Sequence, residues 1–259
     1  MTWTTLPRSD FGALSSISKG SGRLVLLIHG VGLQSEAWRR QIEALAPTYR
    51  AVAVDLPGHG KSAMPAGQFS VADYTNLIAA GLEEPALVVG HSMGAMIALD
   101  MASRHPQKLR GVAGLNAIFE RNAEAVQAVK SRAASLDGVT LADPTQTLER
   151  WFGAAGSPER DACRDWLTAV DPEAYKTAYS AFADDNGPRR DALDALACPA
   201  LFMTGALEPN STPEMSRTMA ALAPKGRAII VDGAAHMMPM THARPVNAAL
   251  LDFAQEVWA

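Results

Sequence analysis

A serine stands at the centre of Gly90-His91-Ser92-Met93-Gly94, a G-x-S-x-G pattern that lies between two apolar runs. The preceding run, residues 86–89, is typical of a buried strand, and residues 92–104 are predicted to form a helix. The glycines allow a turn so tight that the central serine adopts a strained backbone conformation with its hydroxyl exposed. The pattern therefore predicts that Ser92 is a nucleophile at a strand-to-helix turn.

A serine hydroxyl is a weak nucleophile at neutral pH, so it needs a base within hydrogen-bond reach and a carboxylate behind that base. His236 is the candidate base because it follows the last predicted buried strand, residues 227–231. Catalytic groups of open α/β sheets collect at the carboxyl ends of the strands, where Ser92 is also expected. Glu208 follows the predicted strand 199–205 and is the candidate acid, which gives the chain order serine, acid, histidine.

The other five histidines are given less weight. His29 and His59 lie in glycine-rich turns, where hydrogen bonds to the loop backbone are the expected role. His91 is expected to point away from the acid–base side of the turn, and His105 is expected to be solvated. His242 is close enough to His236 in the sequence to remain a rival base.

Predicted strands and helices alternate along most of the chain, which favours a doubly wound, mostly parallel sheet. Continuous aliphatic runs such as residues 24–28 are typical of strands covered by helices on both faces. Residues 11–17 are expected to form an early edge strand. The alternation stops at residues 118–194, which we interpret as a helical lid inserted into a core domain made of residues 1–117 and 195–259.

Four motifs occur in an order that resembles the landmarks of the α/β-hydrolase superfamily, and the resemblance covers nearly the whole chain. They correspond to its oxyanion loop, its D-x-P-G-x-G-x-S turn, its nucleophile turn and its histidine loop. The motifs are His29-Gly30-Val31-Gly32, Asp55-Leu56-Pro57-Gly58-His59-Gly60-Lys61-Ser62, Gly90-His91-Ser92-Met93-Gly94 and Gly233-Ala234-Ala235-His236-Met237.

The resemblance implies that the backbone N–H groups of Val31 and Met93 form an oxyanion hole. Each such donor stabilises a transition state by roughly 3 to 4 kcal/mol. The family usually has aspartate where this chain has Glu208, and the extra methylene shifts the carboxylate. Glu120, in the loop after the predicted strand 109–115, therefore stays open as a rival acid.

These residues predict a serine hydrolase that cleaves a small carboxylic ester or lactone through an acyl-enzyme on Ser92. The predicted lid makes the chain similar to the enol-lactone hydrolases, and Trp151, Trp166 and Met237 are candidate substrate-binding residues. The lid also carries several arginines that are candidate ligands for a substrate carboxylate. They are Arg121, Arg132, Arg150, Arg160, Arg164, Arg189 and Arg190.

Other functions stay open. A C–C bond hydrolase acting on a ring-cleavage product would use the same three residues, and so would an amidase or a perhydrolase. A non-catalytic ligand receptor ranks lower because no position of the predicted triad is lost. Dehalogenases and epoxide hydrolases of this fold have aspartate where Ser92 stands.

Composition limits the partners. The net charge of −4 does not indicate the basic surface that nucleic-acid binding requires. Two cysteines in no C-x-x-C spacing and the absence of a long apolar run favour a cytoplasmic protein that does not bind membranes. No metal-binding or nucleotide-binding motif is present, so we expect no cofactor, a small-molecule substrate, and a monomer or small homo-oligomer.

Overall fold

Eight strands form a single sheet in the computed structural model, which describes residues 6–259. The strands lie in the order β1-β2-β4-β3-β5-β6-β7-β8. The pairs β1–β2 and β2–β4 are antiparallel and all the others are parallel, which confirms the predicted doubly wound, mostly parallel α/β fold. The strands are β1 Arg8–Phe11, β2 Leu14–Lys19, β3 Leu24–Ile28, β4 Arg50–Val54, β5 Ala86–His91, β6 Leu109–Leu115, β7 Ala200–Gly205 and β8 Gly226–Val231.

One sequence prediction at the sheet edge is wrong. Residues 11–17 do not form one strand, because the chain turns back between β1 and β2 to make a hairpin in which Phe11 pairs with Leu14. Gly12 lies in this turn with φ of +57°, a left-handed conformation that glycine adopts without steric cost.

Helices cover both faces of the sheet. Alternate residues of β3 face opposite sides, so that Leu26 packs beneath α2 and α3 while Leu27 packs beneath α1 and α11. This two-sided burial explains the continuous aliphatic run of the strand. The helices outside residues 118–194 are α1 Arg39–Leu45, α2 Val71–Ala80, α3 Met93–Arg104, α9 Pro213–Leu222, α10 Met238–Thr241 and α11 Ala243–Trp258.

Residues 118–194 contain five helices and, in this fully described part of the chain, no strand. Three of the helices begin at side-chain caps, because Asn122, Ser157 and Asp171 accept hydrogen bonds from the N–H groups of Ala125, Arg160 and Ala174, respectively. The segment follows β6 and precedes β7, so it lies over the carboxyl ends of the strands. The helices are α4 Ala123–Ala134, α5 Thr145–Phe152, α6 Pro158–Ala169, α7 Pro172–Asp184 and α8 Arg190–Asp194.

Candidate active site

Ser92 occupies the sharp turn between β5 and α3, with φ of 56° and ψ of −119°. Its N–H donates to the carbonyl oxygen of Leu115 at 2.8 Å, which ties the turn to the end of β6. A Cβ on Gly90 would lie 1.9 Å from the carbonyl oxygen of Gly94, and one on Gly94 would lie 2.2 Å from that of Ile28. Glycine is therefore required at both positions, and the strained serine conformation is the one that the G-x-S-x-G pattern predicts.

His236 and Glu208 form a direct pair, in which Nδ1–H of His236 donates to Oε2 of Glu208 at 2.7 Å. The Glu208 side chain is fully buried. Its other oxygen, Oε1, accepts from the N–H groups of Asn210 at 2.8 Å and Ser211 at 3.4 Å. Because a carboxylate only accepts hydrogen bonds, Nδ1 carries the proton of the neutral imidazole and Nε2 is left as the basic nitrogen.

Opposing effects act on the pKa of the Glu208 carboxyl group. Burial raises the pKa, but the attraction of His236 and the hydrogen bonds from His236, Asn210 and Ser211 outweigh burial and bring it below its usual value. Glu208 is therefore an anion at neutral pH. An anion at Nδ1 stabilises the imidazolium that forms when His236 accepts a proton.

The rival acid, Glu120, lies on the surface instead. Its carboxylate is about half exposed and pairs with the guanidinium of Arg190 through two hydrogen bonds of 2.7 Å. The sequence left the choice between the two glutamates open, and the structure brings Glu208 and not Glu120 to His236.

The position of His91 differs from the expectation that it points away from the acid–base side. Its Nε2–H donates to the backbone carbonyl oxygen of His236 at 2.8 Å, and the two rings lie 5.0 Å apart. The reason is strand alternation: Leu87, Val89 and His91 share the face of β5 that the 234–238 loop covers. Burial, followed by the charge of His236, lowers the pKa of His91 to about 3.

His29 and His59 bind loop backbone, as expected. Nε2 of His29 accepts from the Leu56 N–H at 2.9 Å, and Nε2 of His59 accepts from the Gly32 N–H at 3.0 Å. Both side chains are buried outside the cavity that contains Ser92. They fix the shape of the two glycine-rich loops next to the site.

A cavity of about 340 Å³ opens onto the candidate triad, and both Ser92 and His236 line it. Its outer wall comes from the helical segment and includes three arginines, Arg121, Arg132 and Arg150. Ligand sites are typically concave, with a few polar groups set among apolar ones. The cavity therefore joins the candidate nucleophile to a cationic wall.

The residues predicted for the oxyanion hole lie next to Ser92. Val31 lines the cavity, and the neighbouring Gly30 is so close that an added Cβ would lie 3.0 Å from Cβ of Ser92. Met93 is the first residue of α3, where a backbone N–H has no partner within the helix. Both residues therefore lie beside Ser92, and the binding of an oxyanion by their N–H groups stays a prediction.

Of the three predicted substrate-binding residues, the structure brings one to the cavity. The Trp151 ring lines the wall and stacks on the His236 ring, with centroids 5.3 Å apart and planes inclined by 23°. Trp166 and Met237 instead belong to an apolar cluster with Leu33 and Cys163, and neither of the two is among the residues that line the cavity. Their burial there follows from the apolar face of α6 and from the turn of the chain after His236.

Comparison with known proteins identifies the family. The model of the alpha/beta hydrolase family matches residues 25–249. This chain belongs to the α/β-hydrolase family. A relative from Acinetobacter baylyi, (E)-2-((N-methylformamido)methylene)succinate hydrolase, is 34% identical over 252 residues, which are 95% of each chain. A pimeloyl-[acyl-carrier protein] methyl ester esterase from Edwardsiella ictaluri is 31% identical and covers 91% of this chain and 95% of its own.

Solved structures share the fold of this α/β hydrolase. An esterase from Thermogutta terrifontis superposes with a TM-score of 0.84 at 24% identity, covering 97% of this chain and 99% of its own. The enol-lactonase from Burkholderia xenovorans gives 0.81 at 23% identity, covering 96% and 100%. These likenesses show the fold, and the family match and the two relatives show that the chain is a hydrolytic enzyme, as predicted.

Sequence reasoning missed two polar residues of this hydrolase site, Asn116 and Ser211, which both line the cavity. The Asn116 amide donates to Oε2 of Glu208 at 3.3 Å and to Oγ1 of Thr204 at 3.2 Å. Thr204 gives its own proton to a carbonyl oxygen, so both partners can only accept and the orientation of the amide is fixed. The signal was available, because Asn116 directly follows β6 at the end of the sheet where Ser92 lies.

Metal sites and membrane-spanning helices are both absent from the described residues. Across residues 6–259, no group of three or more His, Cys, Asp or Glu side chains is arranged to hold a metal ion. In the same part of this α/β hydrolase, none of the helices has the length and apolar character needed to cross a membrane. Cys163 and Cys198 are both free thiols.

Proposed function

We propose that this protein is a serine hydrolase that cleaves a small carboxylate-bearing ester or lactone through an acyl-enzyme on Ser92. The observation that carries the substrate class is the cavity wall opposite Ser92. There, the guanidinium groups of Arg132 and Arg150 converge, and no carboxylate of the described residues forms an ion pair with either of them. Residues 118–194 would act as the lid that closes over this substrate.

Arg132 and Arg150 converge on one hydroxyl group. Nη2 of Arg132 donates to Oγ1 of Thr147 at 3.1 Å, and Nη2 of Arg150 donates to the same oxygen at 3.3 Å. The arginines of this segment that form ion pairs with carboxylates within residues 118–194 are Arg189 and Arg190, which point to the surface. Two like charges held this close favour an anion between them.

The surroundings of these arginines suit a carboxylate. Arg132 is stacked over the Tyr179 ring at 5.3 Å, and its buried Nε has no hydrogen-bond partner among the described residues. Both lone pairs of the Thr147 hydroxyl are taken by arginines, so its proton is available to an anion. Arg121, in contrast, already donates to the carbonyl oxygens of Asp185 and Phe182. We therefore assign the carboxylate to Arg132, Arg150 and Thr147.

The site geometry supports the following reaction. Nε2 of His236 takes the proton of the Ser92 hydroxyl as its oxygen attacks the substrate carbonyl, and the Val31 and Met93 N–H groups bind the resulting oxyanion. His236 then protonates the leaving alcohol or enol, and the acyl group stays on Ser92. A water molecule gives a proton to His236 and attacks the acyl carbon, which releases the acid and restores the serine.

The relative from Acinetobacter baylyi supports an acidic substrate, because its name describes a succinate, which carries two carboxylates. The same name places a formamide next to the succinate, which favours amide cleavage as a second candidate for this chain. The triad serves both reactions, because the amide nitrogen would leave with the proton that His236 supplies.

The test is a substrate panel with matched charge. We would measure kcat and KM for p-nitrophenyl valerate, p-nitrophenyl hemiglutarate, a carboxylate-bearing enol-lactone and an (acylaminomethylene)succinate. The wild type is expected to prefer the carboxylate-bearing compounds, and Ser92→Ala to cleave none. The member turned over fastest then decides between ester, lactone and amide.

Two arginine variants complete this test. Arg132→Gln and Arg150→Gln should each lower kcat/KM for hemiglutarate by about 10-fold to 100-fold, since a charge-assisted hydrogen bond contributes about 1.5 to 3 kcal/mol. The valerate ester should change less than about twofold. Arg164→Gln is the matched control, because Arg164 is exposed outside the cavity. Equal losses for the charged and neutral esters would contradict the proposed substrate class.

A further inference from the structure

Helix α5 carries two different kinds of site residue on one face. Thr147, Arg150 and Trp151 all line the cavity, and their spacing of three and four residues places them on the same side of the helix. Thr147 and Arg150 belong to the anion-binding group, whereas Trp151 contacts His236. A single rigid element thus connects the two ends of the cavity.

The contacts of His236 come from two parts of the fold. Glu208, after β7, and His91, at the end of β5, hold the histidine from the sheet side. Trp151 covers a face of the imidazole ring from the helical segment. The orientation of the His236 ring on its cavity side therefore depends on the position of α5.

Apolar packing of Leu148 holds one side of α5, and the charge between two helices acts on its other side. Arg132 belongs to α4 and Arg150 to α5, and their guanidinium groups meet at the Thr147 hydroxyl. Without an anion, their like charges repel and oppose a close approach of the two helices. A carboxylate bound to both guanidiniums replaces that repulsion with two attractions and so holds α5 against α4.

We propose that Trp151 is a positioning residue that makes turnover depend on the substrate carboxylate. The carboxylate, bound between Arg132 and Arg150, fixes α5, and Trp151 on the same helix then holds the His236 ring where Nε2 meets the Ser92 hydroxyl. This inference rests on the proposed function, because it requires a carboxylate-bearing substrate.

The test separates kcat from KM for the charged and neutral esters of the panel. Trp151→Leu should lower kcat for p-nitrophenyl hemiglutarate by about 10-fold, because a misplaced base slows the chemical step, while KM changes less than about threefold because the arginines still bind the carboxylate. For p-nitrophenyl valerate, which cannot fix α5, kcat should also fall, because Trp151 contacts His236, but by no more than about threefold. Trp151→Phe keeps an aromatic face and should recover most of the lost kcat.

A double variant tests whether the arginine acts through the tryptophan. If it does, Arg150→Gln combined with Trp151→Leu lowers kcat for hemiglutarate no further than the more damaging single change. Thermal melting of each variant shows that it is folded, and the valerate activity shows that its nucleophile is intact.

Three results would overturn the inference. They are equal kcat losses for both esters, a rise in KM alone, and additive effects in the double variant.

The proposed function fails differently: the wild type would cleave valerate and hemiglutarate equally well, or Ser92→Ala would stay active. The inference alone fails when the wild type prefers hemiglutarate and Trp151→Leu leaves the kcat ratio of the two esters unchanged.

Discussion

Oε2 of Glu208 lies 2.7 Å from Nδ1 of His236. The glutamate keeps this contact although its side chain is one methylene longer than that of aspartate. The backbone N–H groups of Asn210 and Ser211 hold its second oxygen, and Asn116 holds the first one, so the carboxylate is fixed from three sides. A longer side chain can replace a shorter one at this position because its end is fixed.

The contact predicts opposite behaviour for the two glutamates. Glu208→Ala should lower kcat by about 10⁴-fold, by analogy with other triads, because His236 loses the group that orients it and stabilises its cation. Glu120→Ala is the matched control and should be nearly silent, since the Glu120 carboxylate pairs with the exposed Arg190 and not with His236. Steady-state kinetics of the two variants decide the matter, and the reverse pattern would rule out Glu208 as the acid.

A second prediction concerns the pH dependence of stability. Burial lowers the pKa of His91 to about 3, whereas an unfolded histidine titrates near pH 6.5. Between these values the unfolded chain binds a proton that the folded chain does not, so the free energy of unfolding falls as the pH drops below about 6.5.

The variant His91→Gln tests this, because its amide can still donate to the His236 carbonyl oxygen. Between pH 6 and 4.5, its free energy of unfolding should depend on pH less steeply than that of the wild type, by up to about 1 kcal/mol for each pH unit. Urea denaturation at several pH values measures the slopes. Parallel curves would mean that His91 is protonated in the folded protein.

The nucleophile turn predicts a third pair of results. In Gly94→Ala the new Cβ would meet backbone atoms of β3, with the Ile28 carbonyl oxygen 2.2 Å away. Since backbone cannot yield as a side chain does, the variant should lose several kcal/mol of stability or fail to fold. Gly156→Ala is the control, because nothing lies within 4 Å of the added Cβ, and it should stay within about 0.5 kcal/mol of the wild type. Equal melting temperatures for the two variants would contradict the packing of this turn.

A fourth prediction uses binding without turnover. Glutarate should raise the melting temperature of the wild type, because a ligand at 100 times its Kd stabilises the folded state by about 2.7 kcal/mol. Arg150→Gln should lose most of this effect at the same glutarate concentration, and Arg164→Gln should keep it. Potassium chloride at equal ionic strength controls for salt. A shift of equal size in wild type and Arg150→Gln would place the anion elsewhere.

The sequence predicted the backbone of the site well because its signals there are local and strong. Continuous aliphatic strands, the glycines around Ser92 and the position of His236 after β8 each follow from a short stretch of residues. The hairpin between β1 and β2 was missed because its turn has only one glycine, at position 12, as a signal. The helix caps Ser157 and Asp171 carry an equally local signal, because each is followed directly by the proline that begins its helix.

Contacts between distant segments were the part that the sequence could not supply. Glu120 and Glu208 both follow strands of the sheet, and only packing decides which of them reaches His236. In the same way, seven arginines of residues 118–194 were equivalent in the sequence, and the structure brings three of them to the cavity. Trp166 differs from Trp151 for the same reason, because the face of a helix that meets the cavity depends on how the helix is packed.

In the proposed mechanism Ser92 carries the acyl group. Intact-protein mass spectrometry of an acid-quenched reaction with p-nitrophenyl hemiglutarate detects that acyl group by its mass. We expect a burst of p-nitrophenolate together with a glutaryl adduct that peptide mapping locates on Ser92. Ser92→Ala should show neither the burst nor the adduct. Full turnover by Ser92→Ala, or an adduct on another residue of the wild type, would rule out Ser92 as the nucleophile.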